Sequence, residues 1–386
     1  MKFFLNTNFI IKRGCSLNFF TLIKDNVGLF NQPMVVYDAI LENQSYFKKI
    51  ITNLKIDFPK INFIINDQPG EPTYQYLNKI SNNCKNKNID LVIAIGGGST
   101  MDIGKGISFL LTNPGNALQY KGFPKNVNNP IPLITCPSLF GSGADISYNA
   151  VFIDEKENRK LGINSIKNFP QFTIIDSELT MEAPESAVIS SAMDTLVHCV
   201  DSFGSIKHTA ISRMYSIQGF QHTFNVLLNN NHMDINFRNE LALGSICGIT
   251  ALMNSGDGPT NGFAYYLGVK HNVPHGLAGA IFLKEVINYN IYQKNYLEYV
   301  HLLSDESLTS NVQSKNKILL NLMDKFETLY KNLHIPNLSH YNFTKHTMND
   351  FVNGSMDALA GSFGGNPVKF DKDAVKYVYN NLIMEQ

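Results

Sequence analysis

The sequence has no tryptophan, and it has no uninterrupted apolar run of about twenty residues, the length that a membrane-spanning helix needs. It therefore predicts no transmembrane helix. The first residues are partly apolar, but Asn6, Asn8, Lys12 and Arg13 interrupt them before the apolar core of a signal peptide could form. We expect neither a membrane anchor nor a secretory leader.

Cysteine is scarce and widely spaced. The five cysteines, Cys15, Cys84, Cys136, Cys199 and Cys247, are odd in number and include no Cys-x-x-Cys pair. A disulfide framework and a zinc knuckle both need paired cysteines, so neither is predicted. Small buried thiols in a reducing cytoplasm are the expectation that fits this pattern.

The sequence also lacks an excess of positive or negative charge. Lys plus Arg and Asp plus Glu both number 32, so the formal net charge is zero. This balance gives no basic surface for nucleic acid and no polybasic segment for a membrane. With 44% hydrophobic and 17% charged residues, the 386-residue chain has the composition of a globular protein and is long enough for two domains.

The N-terminal half alternates short β-rich runs with helical patterns, which is typical of parallel strands joined by crossover helices. We predict strands at Met34–Tyr37, Asn62–Ile65, Leu91–Ile95, Pro132–Thr135, Ala150–Ile153 and Thr173–Ile175, and helices at Leu41–Leu54 and Thr73–Lys87. Residues 1–180 are therefore interpreted as an α/β domain with a doubly wound sheet. Its ligands should lie beyond the carboxyl ends of the strands.

After Glu182 apolar residues recur at helical spacing, and β-rich runs almost disappear. We predict helices at Val188–Phe203, Ile211–Leu228, Asn239–Met253, Gly276–Tyr289, Asn316–Leu333 and Asp371–Ile383. Residues 181–386 are therefore interpreted as an all-α domain, with the boundary near residues 178–184.

The most informative stretch is IDLVIAIGGGSTMDIGKG, residues 89–106. An apolar strand runs into three glycines and Ser99, and a helix begins there. Bare glycines and the N–H groups of a helix start can bind a phosphate, although an ordinary tight turn has the same pattern. The stretch matches neither the dinucleotide fingerprint nor the P-loop, so both interpretations stay open.

Asp38 directly follows the strand at Met34–Tyr37. In a nucleotide-binding domain an acid at this point can accept hydrogen bonds from a ribose and repel a 2′-phosphate. It can equally cap the next helix, since Asp is a good N-cap residue. The two roles are compatible.

Three residues of the helical half could hold a metal ion. Asp194 and His198 are four residues apart on one helix, so they share a face. A surface ion pair would show the same spacing, but the neighbouring residues are apolar, and buried polar groups need partners. His275 follows a proline at the start of another helix. A carboxylate and two imidazoles suit a first-row divalent ion.

Taken together, these residues resemble the iron-dependent (group III) alcohol dehydrogenase family, whose fold is related to that of dehydroquinate synthase. GGGSTMDIGK matches the family loop except at Gly104, and PSLFGSGAD at residues 137–145 is similar to a second family motif. Asn366-Pro367 matches a third motif near the C-terminus. The similarity spans nearly the whole chain.

The resemblance implies an NAD-linked, metal-dependent dehydrogenase that forms a homodimer. It assigns cofactor binding to Asp38, Gly97, Gly98, Ser99, Asp102, Ser138, Ser142 and Lys160. It assigns Fe²⁺ or Zn²⁺ binding to Asp194, His198, His275 and Asn261, and catalytic roles to Tyr265 and His271.

Two positions depart from the family. Asn261 stands where a histidine ligand is expected, and an amide oxygen is a poor ligand for Fe²⁺ or Zn²⁺, so His271 is considered as a substitute. Tyr265 stands where other members carry a second histidine that relays protons. The metal site and the proton relay are therefore the parts of the expected site that this chain alters.

Within the family the chain is most similar to the 3-deoxy-manno-octulosonate 8-oxidase type, through LTNPG, RKLGINS, IIDSEL and Tyr265. That similarity implies a sugar or sugar-acid substrate from the synthesis of lipopolysaccharide sugars. Two alternatives remain: a dehydroquinate synthase-like sugar-phosphate cyclase, and a non-catalytic relative that binds a nucleotide but has a degraded metal site. The cyclase would need many cations, and residues 181–280 offer only Lys207, Arg213, Arg238 and Lys270.

Overall fold

The computed structural model describes residues 3–229, 233–303 and 312–384. These residues form two compact units. The α/β unit comprises Leu5–Pro184 and Asp234–Ala242, and the helical unit comprises Met1–Phe4, Glu185–Met233 and Leu243–Gln386. The limits 1–180 and 181–386 remain our proposal for the two domains.

Six parallel strands form the sheet of the α/β unit, in the order β1-β10-β5-β4-β2-β3. Four two-residue strands form two small antiparallel pairs, β6 with β9 and β7 with β8. In chain order the strands are β1 Asn8–Ile11, β2 Pro33–Asp38, β3 Asn62–Asn66, β4 Leu91–Gly96, β5 Leu133–Pro137, β6 Asn149–Ala150, β7 Ile153–Asp154, β8 Arg159–Lys160, β9 Ile163–Asn164 and β10 Phe172–Ile175.

Both faces of the sheet are buried. Val36 of β2 and Ala94 of β4 belong to one apolar cluster, whereas Val35 and Ile93 belong to another on the opposite face. Successive side chains of a strand point to opposite faces, so this division shows helices packed on both sides. The predicted doubly wound α/β fold is confirmed.

The α-helices of the chain are, in order, α1 Phe19–Asn26, α2 Ser45–Asp57, α3 Tyr74–Cys84, α4 Gly98–Leu110, α5 Glu185–Gly204, α6 Ala210–Asn229, α7 Ile235–Met253, α8 Pro259–His271, α9 His275–Asn288, α10 Val312–Asn332, α11 Met348–Ala358, α12 Ala360–Phe363 and α13 Lys372–Met384. The described residues after Pro184 contain helices and no strand, which confirms the predicted all-α half. Within the same described ranges, no helix is long and apolar enough to cross a membrane.

The sequence prediction was wrong at residues 150–153, and it missed strand β1 and helices α1, α8, α11 and α12. Residues 150–153 do not form one strand of the six-stranded sheet; Ala150 ends β6 and Ile153 begins β7, in the two small antiparallel pairs, and Ala150 and Phe152 pack on the core of the α/β unit. Helix α8 was not predicted. Its residues from Asn261 to Ala264 are all buried, so it lacks the polar face by which a surface helix is recognised.

The packing around Gly104 explains why this residue departs from the family loop. A Cβ atom at Gly104 would lie 2.7 Å from the Cβ of Ala94, so α4 rests on β4 at this point without room for a methyl group. Helix α4 carries the residues that follow the glycine turn. Its position on the sheet therefore depends on a hydrogen at residue 104.

We expect Gly104→Ala to destabilise the protein by about 1–3 kcal/mol, because the new methyl group overpacks the contact between α4 and β4. Urea unfolding followed by circular dichroism measures the loss. Ala94→Gly is the matched partner, since the double variant restores the missing space and should recover much of the stability. A double variant less stable than Gly104→Ala would contradict this explanation.

Candidate functional site

The order of the strands defines where a ligand can bind in the α/β unit. The chain runs from β2 outward to β3 and then returns to β4 on the other side of β2. In open α/β sheets, ligands bind beyond the carboxyl ends of the strands at such a reversal. Asp38 ends β2 and Gly96 ends β4, so the predicted acid and the predicted glycine turn lie side by side there.

The Asp38 carboxylate is held by three groups of its own unit. The Gly97 N–H donates to Asp38 Oδ2 at 2.6 Å, and Asn66 Nδ2 donates to Oδ1 at 3.1 Å. The Thr100 hydroxyl also donates to Oδ1. Burial raises the pKa of Asp38, while these hydrogen bonds lower it. Asp38 therefore fastens the glycine turn to the end of β2.

This contact corrects one part of the expected phosphate site. The Gly97 N–H was expected to face a phosphate, but it donates to Asp38 instead. The N–H groups of Gly98, Ser99 and Thr100 lie in the first turn of α4 and have no acceptor within the helix. These are the amides that a phosphate can use.

The three glycines of the turn have different roles. Gly96 has a φ of +157°, and a Cβ there would overlap Asp38 and lie 2.9 Å from the Cβ of Thr100. At Gly98 a Cβ would lie 2.8 Å from Ser142 Oγ. At Gly97 it would meet nothing closer than 3.6 Å. Gly96 is thus required by packing, a Cβ at Gly98 would force the Ser142 hydroxyl to move, and a Cβ at Gly97 would make only ordinary van der Waals contacts.

The serines predicted to bind the cofactor lie around this turn. The Ser138 N–H donates to the Gly96 carbonyl at 2.8 Å, and Ser142 Oγ accepts the Ala144 N–H at 3.3 Å. The Ser99 hydroxyl donates to the Gly70 carbonyl at 3.4 Å. The second motif is therefore brought to the glycine turn, as the sequence predicted for a shared site.

Asp102 and Lys160 are engaged by other side chains. Lys105 Nζ lies 3.4 Å from Asp102 Oδ1, and burial raises the pKa of Asp102 to about 6. Lys160 Nζ forms an ion pair of 2.6 Å with Glu71 Oε2. Glu71 and Lys105 were not proposed as site residues, because nothing in the sequence indicates which charges become buried together.

In the helical unit, two histidine side chains approach the same oxygen atom, Asp194 Oδ1. His198, one turn further along α5, places its Nε2 at 3.5 Å from this oxygen. His275, at the start of α9, places its Nε2 at 3.9 Å. Asp194 and His198 are both buried. The structure therefore brings the three predicted ligands together.

Gly276 allows α9 to approach α5 this closely. A Cβ at Gly276 would overlap the Ser190 carbonyl and lie 2.9 Å from the Cβ of Asp194. The Leu277 N–H donates to Ser190 Oγ at 3.1 Å and fixes the same contact. The position of His275 beside Asp194 thus depends on the glycine that follows it.

Asn261 faces His275 with its amide oxygen. Its Oδ1 lies 3.0 Å from His275 Nε2, and its Nδ2 donates to Asp257 Oδ1 at 3.1 Å. An ionised carboxylate can only accept, so Asp257 holds the amide nitrogen on its side and leaves the oxygen facing His275. The Asn261 N–H donates to Asp201 Oδ2 at 3.0 Å.

Sequence reasoning missed both of these carboxylates. Burial raises the pKa of Asp201 to about 7 and also raises the pKa of Asp257. Their spacing was the available signal, since Asp201 lies three residues after His198 on α5 and Asp257 lies four residues before Asn261. Both hold the start of α8, and with it Asn261, in place.

The donor chemistry of this cluster suits a divalent metal. Ligands bound to one ion at about 2.1 Å stand roughly 3 to 3.5 Å apart, close to the distances from Asp194 to His198 and from Asn261 to His275. As placed, however, no three His, Cys, Asp or Glu side chains in the described residues could hold a metal ion. The arrangement is one in which His275 and Asn261 hydrogen bond to each other.

Tyr265 and His271 have different surroundings. The Tyr265 ring packs edge-on against the His275 ring, with centroids 5.2 Å apart. His271 is exposed and packs against Phe343, at 4.7 Å. Ten residues separate it from Asn261 on α8, about 15 Å along the helix axis. Tyr265 therefore joins the cluster, and we do not retain His271 as a ligand or catalytic residue.

We expect the pH dependence of stability to show the titration of Asp145, the buried acid at the end of the motif at residues 137–145. Burial raises the pKa of Asp145 to about 6 from 3.8, so the folded chain keeps a proton that the unfolded chain has lost between these values. Stability therefore falls as pH rises from 4 to 6, by up to about 3 kcal/mol for this group. Between pH 4.5 and 7, the free energy of unfolding of Asp145→Asn, measured by urea unfolding, should fall less than that of the wild type. An equal loss in both proteins would contradict this assignment.

We expect Gly276→Ala to push α9 away from α5 and to separate His275 from Asp194, because the new methyl group overlaps backbone. The measurable result is a loss of divalent-metal binding by at least about tenfold, with the helical content retained in circular dichroism. Gly361→Ala is the control, since a Cβ there meets nothing within 4 Å. Equal metal binding by the two variants would overturn this account.

Comparison with known proteins identifies the relatives of both units. The family model described as "Iron-containing alcohol dehydrogenase" matches residues 6–177. The model described as "Fe-containing alcohol dehydrogenase family, C-terminal" matches residues 188–383. Alcohol dehydrogenase 4 of Schizosaccharomyces pombe is 25% identical over 290 residues, 75% of this chain and 68% of that protein.

Lactaldehyde reductase of Escherichia coli K12 is 28% identical over 208 residues, which is 53% of this chain and 54% of that protein. The chain thus matches about half the length of this relative.

Two solved structures share the whole fold. The structure of a 1,3-propanediol oxidoreductase superposes with a TM-score of 0.86 at 20% identity and covers 99% of both chains. That of sulfoacetaldehyde reductase from Bifidobacterium kashiwanohense, in complex with NAD⁺, gives a TM-score of 0.85 at 19% identity and covers 100% of this chain and 99% of that chain. At these identities the structures show the fold alone. With the family models on both halves, the chain belongs to the iron-containing alcohol dehydrogenase family, metal-dependent oxidoreductases of alcohols and aldehydes that use NAD.

Proposed function

We propose that this chain is an NAD-dependent dehydrogenase or reductase that interconverts an alcohol with an aldehyde or ketone. The proposal rests on one observation: the side chains of His198 and His275 both approach the buried Asp194 at its Oδ1 atom. Family membership by itself would allow a chain that has lost its chemistry. A carboxylate and two imidazoles brought together from separate helices favour a chain that has kept it.

The cofactor would bind at the carboxyl ends of β2 and β4. Its pyrophosphate would accept hydrogen bonds from the N–H groups of Gly98, Ser99 and Thr100, where the dipole of α4 favours an anion. Ser138 and Ser142 would lie towards the nicotinamide half. Hydride transfer itself is the chemistry of the nicotinamide.

Asp194, His198, His275 and Asn261 would hold the divalent metal. When bound, a metal there supplies Lewis-acid polarisation of a substrate oxygen. Asp257 contributes by keeping the amide oxygen of Asn261, and not its nitrogen, turned towards His275. The hydroxyl of Tyr265 is the proton donor or acceptor that we assign to the reaction, since its ring packs against His275.

The substrate we propose is a sugar or sugar acid such as 3-deoxy-octulosonate, oxidised at C8 in the synthesis of a lipopolysaccharide sugar. The support is the similarity of LTNPG, RKLGINS and Tyr265 to that type of family member. Around the proposed metal residues, the buried Asn261 and the partly buried Asp257 add polar groups, which match hydroxylated ligands better than alkyl chains. We place the enzyme in the cytoplasm.

A sugar-phosphate cyclase has less support. Arg213, one of four cations in residues 181–280, already donates to Tyr296 at 2.9 Å and stacks on Phe203. Binding a substrate phosphate next to Asp194 would need several cations, and Arg213 is already engaged in these contacts.

The test is a panel of aldehydes, sugar acids and sugar alcohols with NADH or NAD, with metal content measured after anaerobic purification. We expect turnover on hydroxylated substrates and near-stoichiometric iron or zinc. Asp194→Ala should lose both the metal and the turnover, and the exposed Asp324→Ala should keep both.

Asn261→His separates a weakened site from a lost one. An imidazole at residue 261 should raise metal affinity by at least about tenfold, because nitrogen is the better ligand for these ions. The proposal would be overturned if the wild type showed neither bound metal after reconstitution nor turnover, and if Asn261→His restored neither. That result would favour a non-catalytic nucleotide-binding relative.

A further inference from the structure

Counting the acceptor positions of Asp38 identifies two residues with an unassigned role. A carboxylate has about four lone-pair positions, two on each oxygen. Asp38 Oδ1 accepts from Asn66 and from Thr100, so both of its positions are filled. Oδ2 accepts only the Gly97 N–H. Within these contacts, one acceptor position remains, and it lies on the oxygen next to Gly97.

We propose that Thr100 and Asn66 set the preference for NAD over NADP by fixing the Asp38 carboxylate, so that its remaining acceptor position on Oδ2 meets a ribose hydroxyl. This inference rests on the proposed use of a nicotinamide cofactor. It assigns the side chains of Thr100 and Asn66 as positioning groups, which act on the cofactor only through Asp38; the Thr100 N–H keeps its separate place at the pyrophosphate.

The positioning network is closed and buried. Asn66 Nδ2 donates to Asp38 Oδ1 at 3.1 Å and to Thr100 Oγ1 at 2.9 Å. The oxygen of the same amide accepts the Gln68 N–H at 3.4 Å, which fixes the direction of the amide. Thr100 is fully buried and Asn66 is 6% exposed, so water does not compete for these bonds.

Rigid elements supply all three members. Asp38 and Asn66 are register partners at the ends of the neighbouring strands β2 and β3. Thr100 lies in the first turn of α4, directly after β4. A carboxylate with such fixed partners cannot turn without breaking two hydrogen bonds to Oδ1. Its negative charge is thereby held beside Gly97, the glycine of the turn whose surroundings are the least crowded.

The fixed carboxylate has opposite effects on the two cofactors. It accepts a hydrogen bond from a free 2′-hydroxyl, and it repels a 2′-phosphate at short range. Removing the Thr100 hydroxyl frees one position on Oδ1 and allows the carboxylate to rotate. NADH then loses a well-oriented partner, while NADPH meets a less rigidly placed charge.

The experiment compares Thr100→Val with wild type by calorimetric titration of NADH and of NADPH. We expect the Kd for NADH to rise about tenfold, as for loss of one charged hydrogen bond, and the preference for NADH over NADPH to fall at least fivefold. In turnover the effect should fall mainly on KM for NADH. Asn66→Ala should change the preference in the same direction.

Two further variants separate positioning from general stability. Thr100→Ser restores the hydroxyl and should recover most of the preference for NADH. Thr52→Val removes an exposed hydroxyl that donates to the Lys48 carbonyl on α2 of the same unit, and it should leave both Kd values unchanged. Thermal unfolding without cofactor is recorded for each protein.

The outcomes distinguish this inference from the function on which it rests. Thr100→Val with a lower Tm but an unchanged ratio of the two Kd values would show a structural role only and would overturn the inference. The same holds if Thr100→Ser fails to recover the preference. A wild-type chain that binds neither NADH nor NADPH would instead overturn the proposed cofactor, and the inference with it.

Discussion

The hydrogen bond from the Gly97 N–H to the Asp38 carboxylate is the contact on which the cofactor site of the α/β unit depends. It joins the end of β2 to the turn after β4, where the order of the strands reverses. Burial raises the pKa of Asp38, and the hydrogen bonds from Thr100, Gly97 and Asn66 oppose that rise. The same contact determines which amides of α4 stay available to a phosphate.

In the helical unit, too, a carboxylate accepts backbone N–H groups at the start of a helix, here α8. Asp201, buried and with its pKa raised by that burial, accepts the N–H groups of Gly258 and Asn261. In both units a glycine makes this possible: a Cβ at Gly258 would lie 2.6 Å from the Asp201 carboxylate, and one at Gly96 would overlap Asp38. A helix start with free N–H groups is a place where a buried carboxylate can be satisfied. Each helix start then presents the residues of a candidate site.

Most of the fold followed from the sequence because its signals are local. Short β-rich runs between helical patterns located five strands, β2 to β5 and β10, and a spacing of four residues placed Asp194 and His198 on one face. The partners of buried charges were harder to predict: Asp201 and Asp257 offered only their spacing from His198 and Asn261, and Glu71 lies 89 residues from Lys160 in the chain. The departure at Gly104 likewise has its reason elsewhere in the chain, in the methyl group of Ala94.

Asn261 changes the metal site in a way that a missing ligand would not. An alanine at this position would leave a gap, but the amide offers an oxygen and already has a use for it, the hydrogen bond with His275 Nε2. An ion at this site needs the same two atoms, so metal binding competes with a bond inside the protein. Asp257 holds the amide nitrogen, which keeps the amide oxygen turned towards His275. In the proposed metal site, occupancy would therefore depend on the strength of one internal hydrogen bond as well as on the number of ligands.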